Sequence, residues 1–153
     1  MIERYGFMPD TGGAGEYRGG LALVRDFRFV GDEAILQVRA DRQKYLPYGL
    51  EGGRPGTPSR NVLNPDGEAR ELPSKLTMTV RHGDLLHHVQ PGGGGFGNPL
   101  DRDPQRVLDD VLEEKLTPDY ARREYGVILD SAGCEVDVEA TERLREHLTS
   151  AMM

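Results

Sequence analysis

The stretch Pro91-Gly92-Gly93-Gly94-Gly95-Phe96-Gly97-Asn98-Pro99 divides the chain into two unlike halves. Before it lie apolar runs with the two-residue alternation of strands. After it lie capped, charged segments with apolar residues at helical spacing. That succession predicts an α+β fold: a β-rich core of antiparallel hairpins with long ordered Gly/Pro loops, then two or three C-terminal helices. Glycine loses more backbone freedom on folding than any other residue, so a run of it persists only where the chain needs it. It could cradle a phosphate, let backbones pack closely, or serve as a slack hinge. A cradle needs N–H groups converging at a helix N-terminus. Here the helix begins beyond Asn98, Pro99, Asp101 and Asp103, and the two carboxylates repel phosphate. No lysine lies between Lys75 and Lys115, and there is no GxxxxGK[ST] pattern. Close packing is the favoured reading, with the Phe96 ring expected to fill a pocket.

Upstream of the run, LTMTV (76–80), a turn at RHGD (81–84) and LLHHV (85–89) predict one hairpin. GLALVRDFRFV (20–30), a tight turn at Gly31-Asp32 and AILQVRA (34–40) predict another. Residues 1–19 are glycine-rich without a clear period. Residues 41–75 are irregular, yet Tyr45, Leu46, Tyr48, Leu50, Val62 and Leu63 are too many large apolar groups for a flexible linker. A long ordered loop of this kind is usually functional. Downstream, Asp103-Pro104 and Thr117-Pro118 are cap-plus-proline signals for two helices, the second ending near Tyr125. Val107, Leu108, Val111 and Leu112 form the apolar stripe of the first. GVIL (126–129) and CEVDV (134–138) read as short extended pieces. A last helix begins near Glu139, with Ala140, Leu144, Leu148 and Met152 along one side. The expectation is one domain over residues 1–153, β-rich over 15–100 and helical over 103–153.

The 153 residues carry a net charge of −7, which argues against a nucleic-acid surface. No apolar run approaches the roughly 20 residues of a membrane span, and MIERYGFMPD lacks a signal-peptide pattern. A soluble cytoplasmic protein is therefore expected. The single cysteine, Cys134, rules out an internal disulfide and reads as buried or incidental. His87 and His88 point to opposite faces of a strand and cannot share a metal. His82 with Asp84 lacks a third ligand, and His147 reads as solvent-facing. Ser59 and Ser74 lie outside any nucleophile elbow. Asp109-Asp110 and Glu113-Glu114 read as a solvated helix face. Arg54, Arg60, Arg70 and Lys75, with Asn61 and Asn64, punctuate the ordered loop. They can bind a carboxylate or phosphate, or pin the loop through backbone carbonyls.

Taken in order, AGEYRGGLALVRDFRF, PYGLEGGRPGTPSRNVLNPDGE, LPSKLTMTVRHGDLLHHVQPGGGGFGNPLDRDPQRVLDDV and DYARREYGVIL resemble the C-terminal part of the hydantoinase B/oxoprolinase family. The resemblance covers roughly residues 10–130. It implies a portion, or a split subunit, of an ATP-dependent hydantoinase/5-oxoprolinase-type enzyme that opens cyclic amides. Its partners would be a hydantoinase A-type subunit, which binds nucleotide, and the remaining B-type portion; self-association is left open. Related subunits carboxylate ketones such as acetone and acetophenone, so a non-catalytic assembly module of such a complex is the alternative. The resemblance implies ATP, and in some members a divalent metal, in the full complex. No cofactor is expected on this chain, and alone it is expected to be inactive. The residues matching the family's loop motifs are the candidates for substrate or interface loops: Arg18, Gly19, Gly20, Gly52, Gly53, Arg54, Pro55, Gly56, Arg60, Asn61, Ser74, Lys75, Gly92, Gly93, Gly94, Gly95 and Phe96.

Overall fold

A computed structural model of the chain describes residues 1–151; Met152, expected on the last helix face, lies outside the described residues. Seven strands precede the helices: β1 (Ile2–Met8), β2 (Ala22–Arg28), β3 (Glu33–Arg39), β4 (Arg60–Leu63), β5 (Arg70–Glu71), β6 (Lys75–Arg81) and β7 (Leu85–Val89). A 3-10 turn at Pro99–Asp101 leads into α1 (Pro104–Leu112), α2 (Pro118–Tyr125) and α3 (Val138–Ala151). The strands form a five-stranded sheet, ordered β1-β2-β7-β4-β5, and a two-stranded sheet of β3 with β6. The pairs are antiparallel, which makes the fold α+β as expected.

The two hairpins expected from the sequence do not form. β2 pairs with β1 and β7, whereas β3 pairs with β6. The segments at Gly31-Asp32 and at 81–84 are corners, not reversals. Residues 22–39 and 75–89 run side by side as one long bent ribbon, and each strand crosses from one sheet to the other at the bend. There residues 29–32 oppose only 82–84, so one strand carries an extra residue. The bend is held by Phe29 N–H to Asp84 O and Gly83 N–H to Phe29 O, both 2.9 Å, with Gly83 at φ +87°. Extra residues and bends are how strands switch between packed sheets. The gain is apolar. Folding at the corner brings Leu63 and Leu86 of the larger sheet against Val38 and Val80 of the smaller, with Leu72, Phe27 and Phe29 around them. Each such buried side chain stabilises by about 1.5–3 kcal/mol, which a flat hairpin exposed on one face would forgo.

Strand structure also begins earlier than residue 15. Residues 1–19, patternless in sequence, contain β1, an edge strand whose Tyr5 and Phe7 are exposed. Its inner residue Met8 packs on a small cluster of Ala22, Val24 and Val89. β4 and β5 lie inside the segment that reads as irregular.

The helices follow their signals. Asp103 caps α1 by accepting from Gln105 N–H, Thr117 caps α2 by accepting from Tyr120 N–H, and Gly126 ends α2 in the left-handed conformation. Val107, Leu116, Ala121, Tyr125 and Val127 form their core, together with Ala14 from the glycine-rich N-terminal segment. Leu112, part of the apolar stripe in sequence, is exposed. The extended pieces at 126–129 and 134–138 meet only at the Leu129–Val136 bridge. Cys134 is exposed rather than buried. No described helix is long and apolar enough to cross a membrane.

Candidate functional site

The glycine run is the axis of a bundle of extended segments. A Cβ on Gly92 would stand 1.8 Å from Thr11 O, and one on Gly95 2.2 Å from Ala14 O. A Cβ on Gly93 would meet Gly20 N at 2.9 Å, and one on Gly94 would meet Tyr48 O at 1.9 Å. Positions three apart therefore face the same neighbour, and the two between them face two others. That three-residue period is the one polyproline II backbone has. It places segments 11–15, 19–20, 47–50 and 53–57 around the run, each close enough to leave no room for a side chain. None of Gly92–Gly95 has a left-handed φ, so the requirement is for space. The amides are committed laterally. Gly92 donates to Thr57 O at 3.1 Å, Gly93 to Gly20 O at 2.8 Å and Gly95 to Arg54 O at 2.9 Å. Donors already bonded to carbonyls cannot converge on a phosphate, and close packing is the arrangement found.

Phe96 does not fill a pocket. It is 47% exposed, its backbone bridges to Tyr17 and Leu50, and its ring centroid lies 6.2 Å from that of Tyr17. Tyr17, Tyr45, Tyr48 and Leu50 are exposed as well. The bundle thus packs through its glycines and turns aromatic and aliphatic side chains outward.

Two fastenings hold the bundle to the helices. Arg18 grips the buried carboxylate of Asp110 on α1, and Arg102 donates to the same carboxylate at 2.8 Å and to Glu16 O at 2.9 Å. Asp110, on a solvated face by its sequence pattern, is only 5% exposed. The signal for burial is its position three residues after Val107 and beside Val111, on the apolar side of α1. Second, Asp10 accepts from both the amide and the hydroxyl of Thr117, at 2.7 Å each. Tyr120 donates its hydroxyl to Gly12 O at 3.1 Å, and burial raises its phenol pKa to about 12.

The remaining sequence candidates divide between the bundle, at 19–20 and 52–56, and the strands and their ends, at 60–61 and 74–75. Gly19 and Gly56 are buried in the bundle, Gly20, Arg54 and Pro55 lie at its surface, Gly53 is half-buried, and Gly52 turns at φ +91°. Arg60 is on β4 and pairs with Glu71 on β5. Lys75 opens β6 opposite Arg39, and Ser74 accepts from Ala40 N–H at 2.8 Å through its carbonyl. Asn61 belongs to a different constellation.

That constellation consists of two rows across the large sheet. On one face Arg4, Asp26, His87 and Val62 are in register; on the other, Tyr5, Arg25, His88 and Asn61. His87 Nδ1 lies 2.6 Å from Asp26 Oδ1. A carboxylate can only accept, so Nδ1 carries the proton and Nε2 is left as the free nitrogen. His87, Asp26, Arg4 and Arg60 line a surface cavity of about 470 Å³ with Leu85 and Val62. On the opposite face, His88 Nδ1 lies 2.6 Å from Asn61 Oδ1. Burial, then the charge of Arg25, pushes the His88 pKa below its usual value and favours the neutral ring. Sequence alone could not find these pairs, because partners 27 and 61 residues apart meet only through strand register.

Among the described residues no three His, Cys, Asp or Glu side chains gather as a metal would require. His87 and Asp26 are two candidate ligands that already bond to each other. The residues present therefore do not fit a metal centre of their own.

Residues 1–99 match the family model of hydantoinase B/oxoprolinase. The chain is 36% identical over 148 residues to the B-type subunit of a putative D-/L-hydantoinase from Pseudomonas sp. strain NS671, covering 95% of this chain and 25% of that one. It superimposes on the crystal structure of the ATP-dependent caprolactamase from Pseudomonas jessenii with a TM-score of 0.79 at 31% identity, covering 95% of this chain and 26% of that one. A nucleotide-free acetone carboxylase has the same TM-score of 0.79 at 22% identity, over 99% of this chain and 25% of that one, and shows the shared fold. The chain spans about a quarter of the length of the curated relatives it matches.

Proposed function

The chain belongs to the hydantoinase B/oxoprolinase family, and on that premise we propose that it is the C-terminal portion of a B-type subunit in an ATP-dependent enzyme that opens cyclic amides. The observation that carries this reading is the likeness along 95% of the chain to a hydantoinase B-type subunit and to an ATP-dependent caprolactamase. Its partners are the remaining B-type portion and a hydantoinase A-type subunit. In this reading all of residues 1–153 act as one domain in the cytoplasm.

The geometry supports a division of labour. Amide hydrolysis is slow because resonance makes the carbonyl carbon a weak electrophile, and in this reading phosphorylation of the carbonyl oxygen by ATP elsewhere in the complex raises that electrophilicity. What is left for this chain is positioning. The glycine bundle is suited to it: its backbone is fixed from several sides, and its surface carries Tyr17, Tyr48, Leu50 and Phe96, aromatic and apolar groups of the kind that anchor interfaces. Within this proposal those side chains, with Arg54 and the glycine loops, form the contact with the remaining B-type portion.

The test is reconstitution. The chain, the remaining B-type portion and the A-type subunit are combined, and ATP-dependent ring opening of hydantoin, 5-oxoproline and caprolactam is measured. Activity that requires all three supports the reading; activity unchanged when this chain is omitted refutes it. The alternative, an assembly module of a ketone carboxylase, would appear as acetone carboxylation that needs the chain for complex formation and not for turnover.

A further inference from the structure

β1 is an outer strand of the larger sheet, and register fixes which of its backbone groups lie on the open side. Gln90 N–H donates to Leu23 O at 2.9 Å, so Leu23, Arg25 and Phe27 turn their peptide groups toward β7. Ala22, Val24 and Asp26 turn theirs toward β1, where Met8, Gly6 and Arg4 stand opposite them. Tyr5 and Phe7 alternate with those residues, and their N–H and C=O groups point away from the sheet. A register shift between Ile2 and Arg4 ends the regular strand at Arg4. The regular part, Arg4 to Met8, is centred on Gly6 with one aromatic residue on each side. Tyr5 is 64% exposed and Phe7 70%. Sheet edges are normally blunted by lysine, by proline or by a very short strand. The opposite edge, β5, has two residues, both charged, whereas β1 contains neither lysine nor proline.

We propose that β1 pairs antiparallel with β1 of a second copy of this chain, about a two-fold axis through Gly6. In that register Tyr5 faces the partner's Phe7, and Phe7 faces the partner's Tyr5. Each pair exchanges N–H···O bonds, because both residues direct their peptide groups outward. A slip of one residue sets Tyr5 against the inward-bonded Met8. A slip of two sets it against Pro9, which has no N–H, or runs Phe7 into the irregular stretch at Glu3. On one face the rings form cross-strand aromatic pairs, with the Arg25 guanidinium carbon 5.4 Å from the centroid of the Tyr5 ring. On the other face glycine meets glycine at the axis, where nothing in the chain lies within 4 Å of an added Cβ. Arg4 lies opposite the partner's Met8, so no like charges are opposed. A single strand edge is smaller than the roughly 1,200–2,000 Å² of stable complexes, and each chain carries a charge of −7. The dimer is therefore concentration-dependent and favoured by salt. It joins two larger sheets into one continuous sheet and does not depend on the enzyme reading above.

The experiment has two arms. Sedimentation velocity of the full chain, from micromolar to millimolar concentration, is expected to show a reversible monomer–dimer equilibrium. Phe7→Lys removes both aromatic pairs and puts on the edge the residue that blunts natural ones. Glu113 and Glu114 line the same surface hollow as Phe7 and accommodate the new charge. That variant is expected to stay monomeric throughout. The second arm reads the register by cross-linking in a Cys134→Ser background. Gly6→Cys sets the two thiols at the axis, on Cα atoms about 4.5 Å apart, within the roughly 4.4–6.8 Å that a disulfide spans. Its disulfide dimer is expected to form at least about tenfold faster than that of Arg4→Cys, whose copies lie far apart along the paired strands, or of Gly67→Cys, a collision control in open space. A chain monomeric up to millimolar concentration, a dimer that survives Phe7→Lys, or equal cross-linking at the three positions overturns the proposal. So does a monomer whose Tyr5 and Phe7 amides gain protection from exchange only when the remaining B-type portion is added, which assigns the edge to a strand of that portion. None of these readouts involves turnover, so failure here is distinguishable from failure of the enzyme reading.

Discussion

Arg18 and Asp110, 92 residues apart, meet in a two-point contact: Nε to Oδ2 and Nη2 to Oδ1, both 3.1 Å. The contact ties the glycine bundle to α1, and Arg102 donates to the same carboxylate. Removing the acceptor leaves two largely buried guanidinium groups facing each other. Breaking a buried pair from one side costs about 3–5 kcal/mol. Asp110→Ala is expected to lose stability on that scale in urea denaturation, far more than the neighbouring exposed change Asp109→Ala.

Gly94 tests the bundle. A Cβ there would lie 1.9 Å from a backbone oxygen, Tyr48 O, which cannot swing aside as a side chain would. Gly94→Val is expected to destabilise by about 2–3 kcal/mol or more. Gly67→Ala, where nothing lies within 4 Å of the added carbon, should stay within about 0.5 kcal/mol. Thermal melts of the two variants beside the parent chain decide it, and a Gly94→Val protein as stable as Gly67→Ala would show that the segments are not packed as described.

Asp10 caps α2 from outside the helix by bonding to both polar groups of Thr117. Its φ of 62° also suits a residue that tolerates the left-handed region. Asp10→Ala is expected to cost about 1–2 kcal/mol. Asp10→Asn, which keeps an acceptor and the backbone preference, should recover most of the loss. Chemical denaturation of the two variants checks both.

His88 makes stability depend on pH. Its pKa is lowered on folding by burial and by Arg25, so below the ordinary value of 6.5 the unfolded chain binds the proton more readily. The contribution is fully present above pH 6.5 and is lost as pH falls from there through the lowered folded value. Melting temperature is expected to drop between pH 7 and pH 5.5, and His88→Gln should flatten that part of the profile. The groups facing it are Arg25 and Asn61 on neighbouring strands, and neither changes charge in this range. His87, next in the chain, lies on the opposite face against Asp26, and its charge lowers the His88 pKa further, after burial and Arg25. An unaltered slope in the variant would assign the dependence to another group.

Tyr17 and Phe96 should matter to partners more than to the fold. Both are about half exposed and lie beside each other at the bundle surface with their rings tilted. Tyr17→Ala with Phe96→Ser is expected to shift stability by about 1 kcal/mol or less and to weaken binding of the remaining B-type portion at least tenfold. Titration calorimetry reads the second quantity, and unchanged affinity would move the interface elsewhere on the chain.

The helices are legible in the sequence because their signals are local: Asp103-Pro104 and Thr117-Pro118 sit where the N-terminal caps form. The purpose of the glycine run is legible from what surrounds it, since carboxylates and absent lysines exclude a phosphate. Strand pairing is not legible. Gly31-Asp32 and RHGD carry turn chemistry, and nothing local says that the chain bends there without reversing. The decision comes from Leu63, Val80 and Leu86, whose burial requires both sheets at once. Asn61 and His88 stand out separately in the sequence, but their contact depends on register between β4 and β7, which only the folded sheet supplies. Phe96 misleads because a large ring among glycines suggests burial, whereas backbone contacts already fill the space around the run.

A bundle joined through peptide groups differs from an apolar core in how it responds to temperature. Melting it uncovers mainly amide surface, whose hydration lowers heat capacity, while melting an oily interior raises it. With the run and its neighbours contributing few aliphatic carbons, the heat-capacity increment of unfolding should fall below the usual value of about 12–15 cal/mol/K per residue. The stability curve is then flatter, and the chain loses less of its cohesion on cooling than a domain of equal length built on leucine and valine alone.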